Sequence, residues 1–479
     1  MAGMHHLSLR DLGDALRGNA LTPTELTEHY LARIDRLDEA VGAFLTVTPT
    51  AARAAAKAAE ERLARTADPH PLLGIPVAVK DLTPVAGHRH TSGSAAFADR
   101  TATTTAHVAA LLLDRAGMPL LGKTSAPEFG CPAYTEPGFA PPARSPFDPT
   151  RSAGGSSGGA AAAVAAGLVP AAHGSDGGGS LRIPAAACGI VGFKPSRGRV
   201  SPAPGGDPTG LTVAGPLARS VRDAALLLDA MAVPAPGDPY AAPPLPPGAT
   251  FAALTERAPA HLRIAAWTDT GLPGVAPAPE VLAAHRGTVA LLRDLGHTVE
   301  ELPRAPLTAA DRDGFAALWG ALAASVPVPD GAEELLMPLT RWLRQRGRAV
   351  SGTDWIAALD AMQTTARTIV RAVDGYDAVL TPALAALPAK VGALRNDDDP
   401  AADFDAQTAY TPYTAPWNWT GWPAVALPLH WTDPTPTAPS GLPVAAQLAA
   451  PHGADARLLA LAAQLEEARP WAARRPVVH

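Results

Sequence analysis

Three short stretches of the chain carry reactive side chains among more glycines than packing requires. Lys80 ends the run Gly74-Ile-Pro-Val-Ala-Val-Lys80. An ammonium at the end of so apolar a segment is costly to keep charged once buried, so burial would lower its pKa and make it a base. Taken alone, an exposed lysine at a strand end is the plainer reading, so Lys80 needs partners. The second stretch, Ser152-Ala-Gly-Gly-Ser156-Ser157-Gly-Gly159, has the composition of a flexible linker, yet it leads straight into an apolar, alanine-rich segment. The third, Gly174-Ser-Asp176-Gly177-Gly178-Gly179-Ser180-Leu-Arg182-Ile-Pro184, sets a serine after three glycines. Bare glycine amides beside a nucleophile can approach a developing negative charge closely, as an oxyanion hole requires. A structural turn would need fewer.

A serine hydroxyl is a weak nucleophile near neutral pH, so Ser180 needs a base. His173 lies seven positions before it, and His88, His90 and His107 sit in ordinary contexts. With no GxSxG elbow to support a Ser-His-Asp arrangement, serine and lysine form the better base system. A different chemistry is suggested by Gly117-Met-Pro-Leu-Leu-Gly-Lys-Thr124, which fits the phosphate-binding loop pattern. It is rejected because residues 118–121 read as a buried strand, Pro119 has no amide to offer, and the motif precedes its strand instead of following one.

The elements that must hold these groups follow from periodicity. Residues 7–65 read as helical, with Leu9, Leu12 and Leu16 on one stripe and Leu26, Tyr30, Ile34 and Leu37 on the next. Strand-like runs occur at residues 74–81, 119–121, 263–268, 376–381, 424–429 and 444–448, with helical segments at 106–116, 157–166, 279–295 and 454–468. Residues 174–180 read as turn-rich. This alternation implies an α/β fold, a sheet covered by helices on both faces. Residues 233–250 are proline-rich and read as a surface connection, and residues 396–405 as an acidic loop; neither isolates a domain.

Composition narrows the class. A hydrophobic share of 47% with 18% charged residues suits a globular chain with a large core, and a net charge of -6 offers no basic footprint for nucleic acid or anionic lipid. Cys131 and Cys188 can form neither a disulfide framework nor a CxxC metal site, so a reducing cytoplasm is the expected compartment, with no metal and no cofactor. Residues 1–14 lack the basic start and apolar core of a signal peptide, and no run is apolar enough to span a membrane.

Together, Gly74 to Asp81, Gly154-Gly-Ser156-Ser157-Gly-Gly159 and Asp176 to Pro184 resemble the amidase signature family in order and spacing, the two serines standing 24 positions apart. Lys123-Thr-Ser-Ala-Pro-Glu-Phe129, Cys188-Gly189, Gly192-Phe-Lys-Pro195 and Gly215-Pro-Leu-Ala-Arg-Ser220 are similar to it as well. The likeness covers residues 72–232 and resumes over 410–471, through Thr414-Ala-Pro-Trp-Asn-Trp-Thr-Gly-Trp-Pro423 and Gly441-Leu-Pro-Val444. It implies one amidase domain over 1–479, built on a central mixed, twisted sheet. Residues 1–70 would form a helical lead-in, 72–232 the catalytic core, 233–409 a divergent substrate-pocket region, and 410–479 the C-terminal strands and helix.

By that resemblance Ser180 attacks a carbonyl, Ser156 passes the proton and neutral Lys80 accepts it. The amides of Gly177, Gly178, Gly179 and Ser180 would form the oxyanion hole, with Asp176, Arg182 and Ser157 bracing the loop. Gly177 departs from the family, which commonly has a residue with a side chain there, so the loop is expected to be barer. Residues 173–201 are most similar to the 6-aminohexanoate cyclic-dimer hydrolase branch. Phe129, Cys131, Tyr134, Trp319, Trp417, Trp419 and Trp422 are candidate pocket residues or, on the plainer reading, core aromatics. They suggest a small amide with an apolar or aromatic acyl group. The alternatives are the A subunit of a glutamine-dependent tRNA amidotransferase, an acyltransferase using the same acyl-enzyme, and a binding protein on a retained amidase fold. Association into a homodimer is left open.

Overall fold

A computed structural model describes residues 3–479; the first two residues of the expected helical lead-in lie outside the described residues. The strands, in chain order, are β1 Phe44–Val47, β2 Val77–Lys80, β3 Leu120–Thr124, β4 Arg144–Ser145, β5 Asp148–Ser152, β6 Ala171–Asp176, β7 Val191–Lys194, β8 Val213–Ala218, β9 Arg263–Ala266, β10 Thr298–Glu301, β11 Ala378–Pro382, β12 Ala424–Trp431 and β13 Pro443–Ala449. Among the described residues, 11 of them make one sheet in the order β1-β3-β2-β6-β8-β7-β12-β13-β11-β9-β10, while β4 and β5 form a separate hairpin. The sheet is mixed. β2 runs parallel to both β3 and β6, β6 is antiparallel to β8, and β12 is antiparallel to β7 and to β13.

Strands covered on both faces need no alternation, and β2 and β3 are buried along their whole length. At the outer edge β10 keeps one inward residue, Val299, between exposed neighbours. Every residue of the helix Gly158–Ala165 is buried, and its alanines let it lie close to β6, β8 and the helix Arg182–Cys188. Among the described residues, no helix is long and apolar enough to cross a membrane.

Four expectations need correcting. Residues 174–180, read as turn-rich, begin as strand, since Gly174, Ser175 and Asp176 complete β6 and pair with β8. The lead-in is interrupted by β1, because Gly42 stops the helix Pro23–Val41 with a left-handed φ of 59° and releases Phe44-Leu-Thr-Val47 to pair with β3. The acidic stretch 396–405 is only half loop. Asp399 caps a helix, Pro400–Tyr410, by accepting the amide of Ala402 at 3.1 Å, so its acids stabilise a helix start. The helical reading of 106–116 holds only as a short α-turn widening into a π-turn over Leu111–Arg115.

Beyond these, the divergent region contains helices that periodicity had not picked out: Asp313–Ser325, Pro338–Arg348 and Gly352–Ala372. The first two cross at Gly320 and Gly347, where a Cβ on Gly347 would run into the backbone of Gly320. That close crossing sets the height of the first helix above the glycine loop.

Candidate active site

β2, an interior strand, ends at Lys80 and so delivers it to the C-terminal end of the sheet. Its side chain is buried, and its nitrogen bonds only serine oxygens: Oγ of Ser156 at 2.9 Å, Oγ of Ser175 at 3.1 Å and the Ser175 carbonyl at 3.3 Å. Burial lowers the lysine to about 7, against an opposing pull from the Asp176 carboxylate. A lysine near that value is largely unprotonated slightly above neutrality and can take a proton. Lys123, from the rejected phosphate-loop pattern, lies instead on β3 and is paired with Asp81 at 3.3 Å, both side chains buried.

Ser156 and Ser157 stand just before the helix Gly158–Ala165. The Ser157 amide donates to the Ser180 carbonyl at 3.2 Å, and its hydroxyl donates to the Ser175 carbonyl at 3.1 Å, tying the serine turn to both ends of the glycine loop. Lys80, Ser156 and Ser180, three sites far apart in sequence, thus converge at the C-terminal ends of β2 and β6.

A buried ion pair holds the loop. Arg182 uses every donor it has: Nε and Nη2 to Asp176 at 2.9 Å each, Nη2 also to Asn418, and Nη1 to the Thr414 carbonyl and to Gln447. Burial alone would raise Asp176, yet Arg182 and then Lys194 and Asn418 hold it down to about 2. The carboxylate in turn accepts the amides of Gly179 at 2.7 Å and Leu181 at 3.1 Å. This takes Gly179 out of the expected oxyanion set, because its amide is committed to Asp176. The amides of Gly177, Gly178 and Ser180 make no hydrogen bond to the described residues. Gly179 has a φ of 139°, and a Cβ there would collide with Thr414, so glycine is required. Thr414 also bonds the Gly178 carbonyl at 2.7 Å.

Ser180 faces a compartment of about 70 Å³ walled by Cys131, Ile183, Phe315, Trp319 and Phe404. No histidine lines it. His173 is buried on β6, where burial and then Lys80 hold it down to about 3, so it is neutral and non-basic. Of the candidate pocket residues, Cys131 and Trp319 reach this compartment, and Trp419 lines an adjoining chamber of about 430 Å³. The others do not reach either space. The Tyr134 hydroxyl bonds Asp403 at 2.7 Å, Trp417 and Trp422 stack in the core at 6.0 Å, and Phe129 packs on Phe97 at 5.9 Å. The sequence reading missed Phe315, Phe404 and Asn418. The first two stood in the divergent region, Phe404 within the stretch read as an acidic loop; an aromatic pair spaced as Phe315 and Trp319 was the available signal.

Known proteins share this sequence pattern and this fold. A family model described as Amidase matches residues 25–459. The chain is 32% identical to the 6-aminohexanoate-cyclic-dimer hydrolase of Paenarthrobacter ureafaciens over 97% of its own length and 95% of that protein's. A solved structure of 6-aminohexanoate cyclic dimer hydrolase with substrate superposes with a TM-score of 0.90 at 30% identity, covering 99% of this chain and 100% of that one. A bacterial aryl acylamidase gives 0.85 at 26% identity, with 98% of each chain covered.

Proposed function

The chain belongs to the amidase signature family of amide-bond hydrolases, and from that premise we propose that it forms an acyl-enzyme on Ser180, with Ser156 and Lys80 as its proton relay. The observation that carries this reading is the contact of a buried, readily deprotonated Lys80 with Ser156, on a turn seated against Ser180. The Ser180 oxygen bonds the amide carbon while its proton passes through the Ser156 hydroxyl to Lys80. The amides of Gly177, Gly178 and Ser180 receive the negative charge on the carbonyl oxygen. The proton then returns to the leaving nitrogen as the C–N bond breaks. Water repeats the cycle on the ester and releases the acid. The aromatic walls around Ser180 favour a small-molecule amide with an apolar or aromatic acyl group, and two free thiols suit work in a reducing cytoplasm.

The test compares three serine variants on an aryl amide such as acetanilide. Ser180→Ala loses all turnover at an unaltered melting temperature, because no core cavity is made. Ser156→Ala loses rate by about 10²–10⁴-fold, the usual range for a general acid–base contribution, and Ser157→Ala loses less. Turnover by Ser180→Ala removes the nucleophile; equal losses at the two neighbouring serines remove the relay.

A further inference from the structure

The compartment at Ser180 is too small for a substrate of ordinary size, since ligand sites run to roughly 300–1,000 Å³ and it offers about 70 Å³. The chamber beside it, about 430 Å³, is large enough but does not include Ser180. The two spaces share Gly178, Phe315, Phe404, Thr408 and Thr411 as walls. A second large cavity, about 490 Å³, touches Ser175 and the segment after Lys80 and has no wall in common with the Ser180 compartment.

Within the shared wall Phe315 has a particular position. A Cβ on Gly178 would lie 3.3 Å from its ring tip, so the ring stands directly over the bare glycine. It stacks on Trp319 with centroids 5.2 Å apart and meets Trp419 at 5.9 Å. Trp319 is tethered, its indole N–H donating to the Cys131 carbonyl at 3.3 Å while its ring lies over Gly177, where a Cβ would come within 3.1 Å. Phe315 has no polar anchor and is only partly buried, so it is the movable member of the pair.

We propose that Phe315 is a specificity-determining partition between two halves of one acyl site, and that the site takes an elongated apolar acyl group with a polar end. The inference rests on Ser180 being the acylated residue. With the ring turned aside, an acyl chain bound at Ser180 runs past Gly178 into the chamber, whose inner walls include Leu272, Leu343, Phe404 and Trp419. Its far end emerges among charges of both signs, Asp313, Arg346 and Asp405, beside Arg312, which is fixed by the carbonyls of Thr270 and Pro412 at 3.0 Å each. A mixed rim of that kind solvates a polar end without demanding one charge.

The experiment uses p-nitroanilides of acetic, hexanoic and decanoic acids. Phe315→Ala raises the ratio of kcat/KM for decanoyl over acetyl substrate by at least about tenfold, and Phe315→Trp lowers it by a similar factor, the scale set by fitting or excluding a few methylenes. A ratio unmoved in both variants, each melting as the wild type does, overturns the proposal. Phe315→Leu serves as a milder opening should the alanine variant fold poorly. A binding arm separates this idea from the reaction it rests on: acetate, hexanoate and decanoate titrated into Ser180→Ala, with and without Phe315→Trp, read by tryptophan fluorescence. Binding that tightens with chain length and weakens in Phe315→Trp upholds the partition even where no anilide is cleaved. Cleavage that depends on Ser180 but ignores the size of residue 315 removes the partition and leaves the proposed reaction standing.

Discussion

Lys80 loses its charge readily in the folded protein, and both rate and stability register that. Its value falls from 10.5 to about 7 on burial, so kcat/KM is expected to rise with pH through about 7 and then level off. Between those two values the unfolded chain holds a proton that the folded one does not, so stability contributed at this site rises with pH across the window. The cost of burying Lys80 is therefore fully present below about 7 and gone above 10.5. Lys80→Met is expected to abolish the rise in rate and to raise the melting temperature more at pH 7 than near pH 10. An equal gain at both would show that Lys80 folds with its charge intact. The residues proposed to react stood out in sequence because that chemistry demands particular types beside glycine. What braces them did not. Arg182 was visible, but its partners Thr414, Asn418 and Gln447 lie more than 230 positions away. Gly179 was enrolled as an oxyanion donor by residue type, although Asp176, only three positions before it, claims its amide. Trp417 and Trp422 attracted attention by type, while the less conspicuous Phe315 shares the compartment that Ser180 lines.

Short apolar runs such as β2 and β12 were readable because strands buried on both faces need no alternation. β7 and β8 were quoted only as motif residues: each contains glycine, and β8 also Pro216, both of which count against a strand in sequence. The helix Asp313–Ser325 was missed for another reason. It carries apolar residues around most of its circumference, since it is wedged between the glycine loop and two other helices, and a stripe cannot be read from it. Its crossing with Pro338–Arg348 yields a prediction. Gly347→Ala drives a methyl into the Gly320 backbone and is expected to cost about 1–3 kcal/mol, the usual penalty for overpacking. Gly320→Ala, whose Cβ would stand 3.1 Å from the Leu343 carbonyl, is expected to cost less. Guanidinium denaturation of the two variants checks the order; a reversed order would mean that the crossing does not fix the height of this helix.

Across the whole molecule, an α/β sheet with helices on both faces was legible, while its strand order was not, because pairing between distant segments leaves no local trace. That order has a consequence for synthesis. Among the described residues β12 and β13 leave the ribosome after every other strand, yet they occupy the middle of the sheet: β12 pairs with β7 on one side, and β13 with β11 on the other. Until residue 449 has emerged, the nascent chain holds two half-sheets, each with an open edge where these strands belong. Open edges pair indiscriminately, so a chain terminated after Thr420 is expected to collect in the insoluble fraction, whereas one terminated after Ala468 retains all the strands and stays soluble. A soluble, monomeric product from the shorter chain would mean that each half closes its own edge. Otherwise the nascent chain stays adhesive until these two strands appear, and a ribosome that slows or stalls before residue 449 exposes the cell to the open edges for longest.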